Sequence, residues 1–181
     1  MAIQRRLSLN SIDFWSKTWD EYKNGFGNVH GEYWLGNDDI HALTSQRGSE
    51  MLVWFFLESF SGEYRNVIYK GFRVENEANN YKLHTGVYSA GKETISSKSI
   101  LKHDQMLFST PERENDIHQS QNCASRYKSG FWFSNCYGAT PNGAYGDTES
   151  LCKERGIHWI DWKGTTECMR QFRILIRKLP A

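Results

Sequence analysis

The stretch NCASRYKSGFWFSNCYGATPNGAYG, residues 122–146, decides how this chain is read. Cys123 and Cys136 bracket four rings, Tyr127, Phe131, Trp132 and Phe133. Tyr137 follows at once, and Gly138, Gly143 and Gly146 come after it. Large rings are rare on solvated loops, so either a core or a ligand must take them up.

Working outward, the 181 residues suit one domain, 1–181, with enough length to bury a proper core. Seven Trp, nine Tyr and ten Phe against three Pro make the chain unusually aromatic, which favours buried bulk or stacking faces. The formal net charge of +1 argues against a nucleic-acid partner, which needs a strongly basic face. Membrane insertion is not expected either. The most apolar run, MLVWFFL from Met51, has the length of a strand. No secretory signal is visible, because LSLNSIDFW after Arg5-Arg6 is too polar and short for one. Four cysteines, an even number, nevertheless suit disulfides; buried thiols in a cytosolic protein are the alternative.

Two short helices are expected early. SKTWDEYKNGFG should start at a Ser16 cap and stop at Gly25, with Trp19 and Tyr22 on one face. GNDDIHALTSQ offers Asn37 or Asp38 as a cap and Ile40 with Leu43 as the apolar pair. Strands are predicted at 50–59, 65–75 and 81–89, and a last one at 171–179. From Lys92 to Lys163 regularity fades, yet that stretch and its margin hold all four cysteines. The expected class is α+β: an antiparallel sheet with short helices carrying a long, irregular lobe.

Three stretches together resemble a known family: TWDEYKNGFGNVHGEYWLGNDDIHALT (18–44), the 122–146 block, and GIHWIDWKG (156–164) leading into FRILIR (172–177). This is the fibrinogen C-terminal-like domain of ficolins, tachylectins, angiopoietins and invertebrate fibrinogen-related lectins, molluscan sialic-acid-binding lectins included. Members usually carry an N-terminal subdomain before a strand like Ile3-Gln4-Arg5-Arg6, so the expectation from the resemblance is a domain without that subdomain. The resemblance implies a Cys123–Cys136 disulfide, a cis peptide between Asn135 and Cys136, and a pocket walled by the loop they close. Cys152 and Cys168 depart from the best-known members, and their joint appearance suggests a second, stapling disulfide. Zinc is the rival there, but successive cysteine spacings of 13, 16 and 16 lack a C-x-x-C pair. Reactive thiols have still less support.

In acetyl-binding members the cis pair donates two N–H groups to the acetyl oxygen while rings enclose the methyl. Carried over, the donors are Asn135 and Cys136, and Tyr127 is one aromatic wall. Tyr137 stands where many such lectins have His. Two further wall positions hold Lys153 and Thr165, with Glu154 beside the first. A cation at Lys153, with Arg126 and Lys163 as neighbours, would favour an acetylated sugar that is also an acid, such as sialic acid. The plain alternative makes Lys153 and Glu154 a solvated pair, with Tyr127 and Trp132 in the core; Trp132 matches a framework tryptophan.

STPERENDIHQSQNCA (109–124) stands where the family has a calcium loop. The matching side chains are Glu112, Glu114, Asn115 and Asp116, with backbone carbonyls around His118 and Ser120. Calcium needs six to eight oxygens. Glu for Asp twice, and one extra residue before Cys123, weaken the match; a solvated acidic loop is the alternative. The resemblance thus implies a secreted, oligomeric lectin for glycans or glycoproteins, acting in innate recognition or agglutination. A signalling or adhesion ligand for a protein receptor, as in angiopoietin-like relatives, is the competing reading. An enzyme is not expected: the six histidines are scattered, and no G-x-S-x-G nucleophile turn occurs.

Overall fold

The computed structural model describes residues 1–7, 12–89, 98–144, 152–153 and 155–180. Along the chain the elements are β1 (Ala2–Arg6), α1 (Trp19–Asn24), β2 (Phe26–Gly27), β3 (Tyr33–Trp34) and α2 (Asn37–Thr44). Then come β4 (Met51–Ser59), β5 (Tyr64–Lys70), β6 (Arg73–Val74), β7 (Leu83–His84) and β8 (Val87–Tyr88). After these lie α3 (Lys98–Leu101), α4 (Cys123–Tyr127), a helical turn at Ile160–Lys163, and β9 (Met169–Lys178). Seven strands form one antiparallel sheet in the order β2-β3-β1-β9-β4-β5-β8; β6 and β7 pair separately. The expected α+β architecture, a sheet supporting an irregular lobe, is therefore present.

Alternation explains the sheet. Met51, Val53, Phe55 and Leu57 of β4 are buried while Leu52, Trp54 and Phe56 are partly exposed, the period of two that a half-covered sheet demands. β9 lies beside β4, and its Phe172, Ile174 and Ile176 join the same core. Onto that face pack rings from the lobe. Trp159 sits 5.7 Å from Phe55, and Trp132 sits 6.0 Å from Trp34.

Four boundaries differ from the sequence expectation, each for a local reason. The cap of α1 is Thr18, not Ser16: Thr18 and Glu21 form a reciprocal capping box, the T-x-x-E pattern of TWDE. The cap of α2 is Gly36, not Asn37 or Asp38. Gly36 has φ 113°, and a Cβ there would sit 2.9 Å from the Lys23 carbonyl oxygen, so α1 approaches too closely for a side chain. The strand expected over 65–75 ends at Lys70, because the N–H groups of Gly71 and Phe72 both donate to the Met51 carbonyl. The one expected over 81–89 divides between two sheets as β7 and β8. By contrast, the Gly25 stop and the burial of Trp19 and Tyr22 stand as expected.

One buried ion pair ties β1 to the lobe. Arg6 Nε lies 3.4 Å from Glu32 Oε1, Arg6 Nη1 donates to the Gly143 carbonyl at 2.7 Å, and the guanidinium covers Phe14. Gln4 adds a second tie, its Nε2 donating to Pro141 O at 2.9 Å and to Asn142 Oδ1 at 3.1 Å. The strand thereby fixes the segment that follows Tyr137.

Candidate functional site

The 122–146 stretch separates into a buried half and a presented half. Phe131, Trp132 and Phe133 are fully buried, so these rings belong to the core. Trp132 also donates from Nε1 to the Tyr81 carbonyl at 2.6 Å. Tyr127 and Tyr137 are only partly buried, and their rings meet edge to face at 4.7 Å. The glycines serve close approach. A Cβ on Gly130 would lie 2.3 Å from the Tyr22 ring, and one on Gly138 2.1 Å from the Ser99 carbonyl oxygen.

The covalent frame follows the expectation. Cys123–Cys136 and Cys152–Cys168 are both disulfides with Cα–Cα distances of 5.5 Å, and the four cysteines leave no free thiol. The zinc and free-thiol alternatives are thus set aside, although His158 lies beside Cys152, with Nε2 3.8 Å from its sulfur. The shorter ring removes on the order of 3 kcal/mol of unfolded-chain entropy in the loop-closure picture. Asn135–Cys136 is a cis peptide, as the resemblance implies.

His103, which sequence reasoning passed over, anchors the loop behind the site. Its Nδ1 faces the Trp132 carbonyl at 2.6 Å, while its Nε2 lies 3.0 Å from both the Gly138 and the Ala139 N–H. One donation and two acceptances require the neutral Nδ1–H tautomer. Burial pushes its pKa down to about 4. His158 is also buried, and burial likewise pushes it down to about 4. Its ring lies nearly parallel to that of Tyr137, and its Nδ1 is 3.3 Å from the Tyr137 hydroxyl. Burial raises Tyr137 to about 12, so its hydroxyl stays protonated at neutral pH.

Two adjoining hollows open in front of this frame. The smaller, about 350 Å³, brings Asn135 and Cys136 together with Tyr127, Tyr137 and Thr165, and is rimmed by His118, Gln121, Arg126 and Ile160. The larger, about 580 Å³, shares Arg126, Tyr127, Tyr137 and Thr165, and adds Lys128, Lys153 and Arg155. Both lie in the range of small-ligand sites, about 300–1,000 Å³. Among the described residues, the Asn135 and Cys136 N–H groups donate to no protein acceptor. They border the smaller hollow beside two tyrosine rings. Arg126 is held in place by donating from Nη1 to Gln121 Oε1 at 2.7 Å.

The structure therefore brings together Tyr127, Asn135, Cys136, Tyr137, Lys153 and Thr165. Glu154 lies outside the described residues. Lys163, expected as a neighbour of Lys153, lines neither hollow; it pairs with Glu63 and Glu167, each at 3.3 Å, and lies over Trp162. Lys128 and Arg155 were missed, because their approach depends on how α4 ends and how the chain crosses after Cys152. Lys128 has φ 50° as the left-handed cap of α4, a turn that its own residue type does not announce.

The acidic loop is mostly self-contained. Glu112 accepts from the Trp19 N–H at the start of α1, so it points away from any shared cage. Asp116 accepts from the His118 N–H at 2.9 Å and from the Cys123 N–H at 2.8 Å. Asn115 donates to the Phe108 carbonyl at 2.8 Å, and the Ser120 N–H donates to His118 Nδ1 at 3.2 Å. Glu114 is exposed. The side chains matched to the calcium motif thus do not assemble one oxygen cage, and Glu112 does not fit the role.

A sheet-borne, disulfide-tied lobe of this topology defines the class: a fibrinogen-like globe. The chain belongs to the family described as fibrinogen beta and gamma chains, C-terminal globular domain, which matches residues 1–179. It is 39% identical to human fibroleukin over 92% of this chain and 37% of that protein. It is 38% identical to Techylectin-5A of Tachypleus tridentatus, over 97% of this chain and 58% of that one. It thus spans from about a third to somewhat over half of these curated relatives. Among solved structures, the fibrinogen-like globe domain of human ANGPTL6 superposes with a TM-score of 0.88 at 34% identity, covering 99% of this chain and 78% of that one. The lamprey fibrin D-dimer, complexed with the peptide ligand Gly-His-Arg-Pro-amide, gives 0.82 at 27% identity, covering 99% and 62%.

Proposed function

We propose that this domain is a secreted, non-catalytic lectin that binds acetylated acidic sugars, sialic acid foremost. One observation carries the reading: two backbone N–H groups without a protein acceptor border a tyrosine-walled hollow with Arg126 on its rim. An acetamide oxygen accepts from the Asn135 and Cys136 N–H groups, and its methyl lies against Tyr127 and Tyr137. The sugar carboxylate is then met by Lys153, a charged donor that binds it more strongly than a neutral one. The similarity to a protein named Techylectin-5A supports this reading, and two disulfides fit an oxidising, extracellular setting. Single sugar sites are weak, so we propose a homo-oligomer presenting several of them.

A glycan array tests the proposal, with sialylated and N-acetylated hits expected. Lys153→Ala should weaken sialoside binding by about tenfold, in keeping with the loss of one charge-assisted contact, while the melting temperature holds. Unchanged affinity would remove Lys153 from the site. The second reading, a ligand for a protein receptor, draws on the likeness to the ANGPTL6 and ANGPTL2 globes, at 34% and 33% identity. Silence on the array, with receptor binding intact, would favour it.

Calcium enters the proposal only in narrowed form. An ion at the 112–120 loop would use Asp116, Glu114 and backbone carbonyls near His118 and Ser120, without Glu112. A melting temperature raised by calcium and restored by a chelator supports this; no shift shows that the hydrogen bonds of Asp116 suffice.

A further inference from the structure

The hydroxyl of Tyr137 has its hydrogen-bonding sense fixed from behind, by His158 and the second disulfide. His158 is fully buried, and Thr140 pins its backbone twice. The His158 N–H donates to Thr140 Oγ1 at 2.9 Å, and its carbonyl accepts from the Thr140 N–H at 3.1 Å. The imidazole lies within 9° of the plane of the Tyr137 ring, with Nε2 facing Cys152 Sγ at 3.8 Å. That sulfur belongs to the Cys152–Cys168 disulfide, so it has no proton to give and can only accept. The Cys152 backbone accepts from the same ring. Burial keeps the imidazole neutral at pH 7, so with the proton on Nε2 the other nitrogen is bare. A bare Nδ1 needs a donor, and the Tyr137 hydroxyl at 3.3 Å supplies one.

The consequence faces the ligand. Tyr137 lines both hollows, and the groups whose charges act on its hydroxyl, Tyr127 and Arg126, line them too. With its proton given to His158, the Tyr137 oxygen offers the hollow lone pairs only. We infer that Tyr137, set by His158, makes the site selective for an N-acetyl amide over an O-acetyl ester, because the bound group must donate to Tyr137 Oη. This rests on the lectin reading and specifies the acyl chemistry it takes. In a trans amide the N–H lies on the methyl side, opposite the carbonyl oxygen. The pose that gives the oxygen to Asn135 and Cys136 and rests the methyl on Tyr137 therefore turns the N–H towards the tyrosine hydroxyl. An ester puts an oxygen at that point, and two acceptors then face each other with no proton between them.

Isothermal titration tests it with two methyl sialosides, one bearing the C5 acetamide and one an O-acetyl ester at C5. The amide should bind about tenfold more tightly. An amide carbonyl is also the stronger acceptor, so the variants decide the cause. Tyr137→Phe keeps the ring wall and deletes the oxygen, and the amide-to-ester ratio should collapse towards the small part that the carbonyl supplies. His158→Leu releases the hydroxyl proton to the ligand, so the ratio should fall there as well. His158→Gln, whose Oε1 can again accept from Tyr137, should restore it. Each protein is read as a ratio between two ligands, so a general loss of affinity does not imitate the result. Should His158→Leu not fold, Tyr137→Phe at its partly buried position still decides. A ratio near one in the unaltered domain overturns the inference while the lectin reading stands. A ratio unchanged in Tyr137→Phe overturns the assignment to its hydroxyl; one lost there but kept in His158→Leu overturns the control by His158. If neither glycoside binds the unaltered domain, the lectin reading falls and the inference with it.

Discussion

Acidification from pH 7 to 4.5 should cost this domain about 5 kcal/mol of folding stability, through two buried imidazoles alone. His103 and His158 have folded pKa values near 4 against an ordinary 6.5, with burial as the largest cause in each. Between those two values the unfolded chain binds protons that the folded chain refuses. Stability is therefore full above about pH 6.5 and declines as the pH falls towards 4. Glu75 and Glu77 are held below the usual carboxylate range, first by hydrogen bonds from His84 and Lys23 respectively. Their contribution is lost only at still lower pH, and exposure makes it small. Urea unfolding at pH 7, 5.5 and 4.5 measures the effect, and a flat profile would refute it. A His158→Gln variant should retain about half of the pH dependence. The loss has a functional side: protonating His103 Nε2 removes the acceptor for the Gly138 and Ala139 N–H groups directly behind Tyr137.

Removing Glu32 should be nearly as damaging. Glu32 is fully buried, and its Oε1 lies against Arg6 Nε and accepts from the Leu7 N–H at 2.9 Å. Burial pulls the Arg6 pKa down, and Glu32 is the largest influence acting against it. Glu32→Ala leaves a guanidinium in the interior without its counter-charge, a change that typically costs about 3–5 kcal/mol. The damage should reach the site, because Arg6 also holds the Gly143 carbonyl of the segment following Tyr137. Replacing both partners, Arg6→Met with Glu32→Leu, should cost less than Glu32→Ala, since no charge is then stranded. Denaturant midpoints of the three proteins decide the matter. A double variant less stable than the single one would show that the Gly143 tie matters more than the charge balance.

These expectations show where local sequence stops being informative. Strand β4 was legible because alternation follows from the pleat: Val53, Phe55 and Leu57 inward, Trp54 and Phe56 outward. The Thr18–Glu21 capping box was equally visible as T-x-x-E, and the choice of Ser16 overlooked it. Gly36 as the cap of α2 could not be foreseen, because its reason is the backbone of α1 passing close by. That Tyr127, Asn135, Cys136 and Tyr137 border one hollow was legible through the family motif, and so was the Cys123–Cys136 closure beside it. Lys163 was misplaced because Glu63 and Glu167 draw it away from the hollows. Glu112 was misplaced because the N-terminus of α1, distant in sequence, takes its carboxylate.

By itself, then, the sequence determined the long strands β4 and β9 and the T-x-x-E cap of α1, and through the family motif the cystine frame and the residues that border the hollow. These follow from side-chain periodicity and short-range hydrogen bonding, which neighbouring residues specify. Only the tertiary structure decided which rings were core and which were wall, that His103 holds the Gly138–Ala139 backbone, and that Lys128 and Arg155 share a hollow with Lys153. Such decisions depend on burial and on contacts between distant segments; whether a ring or a charge meets protein or water is fixed only when the chain closes on itself.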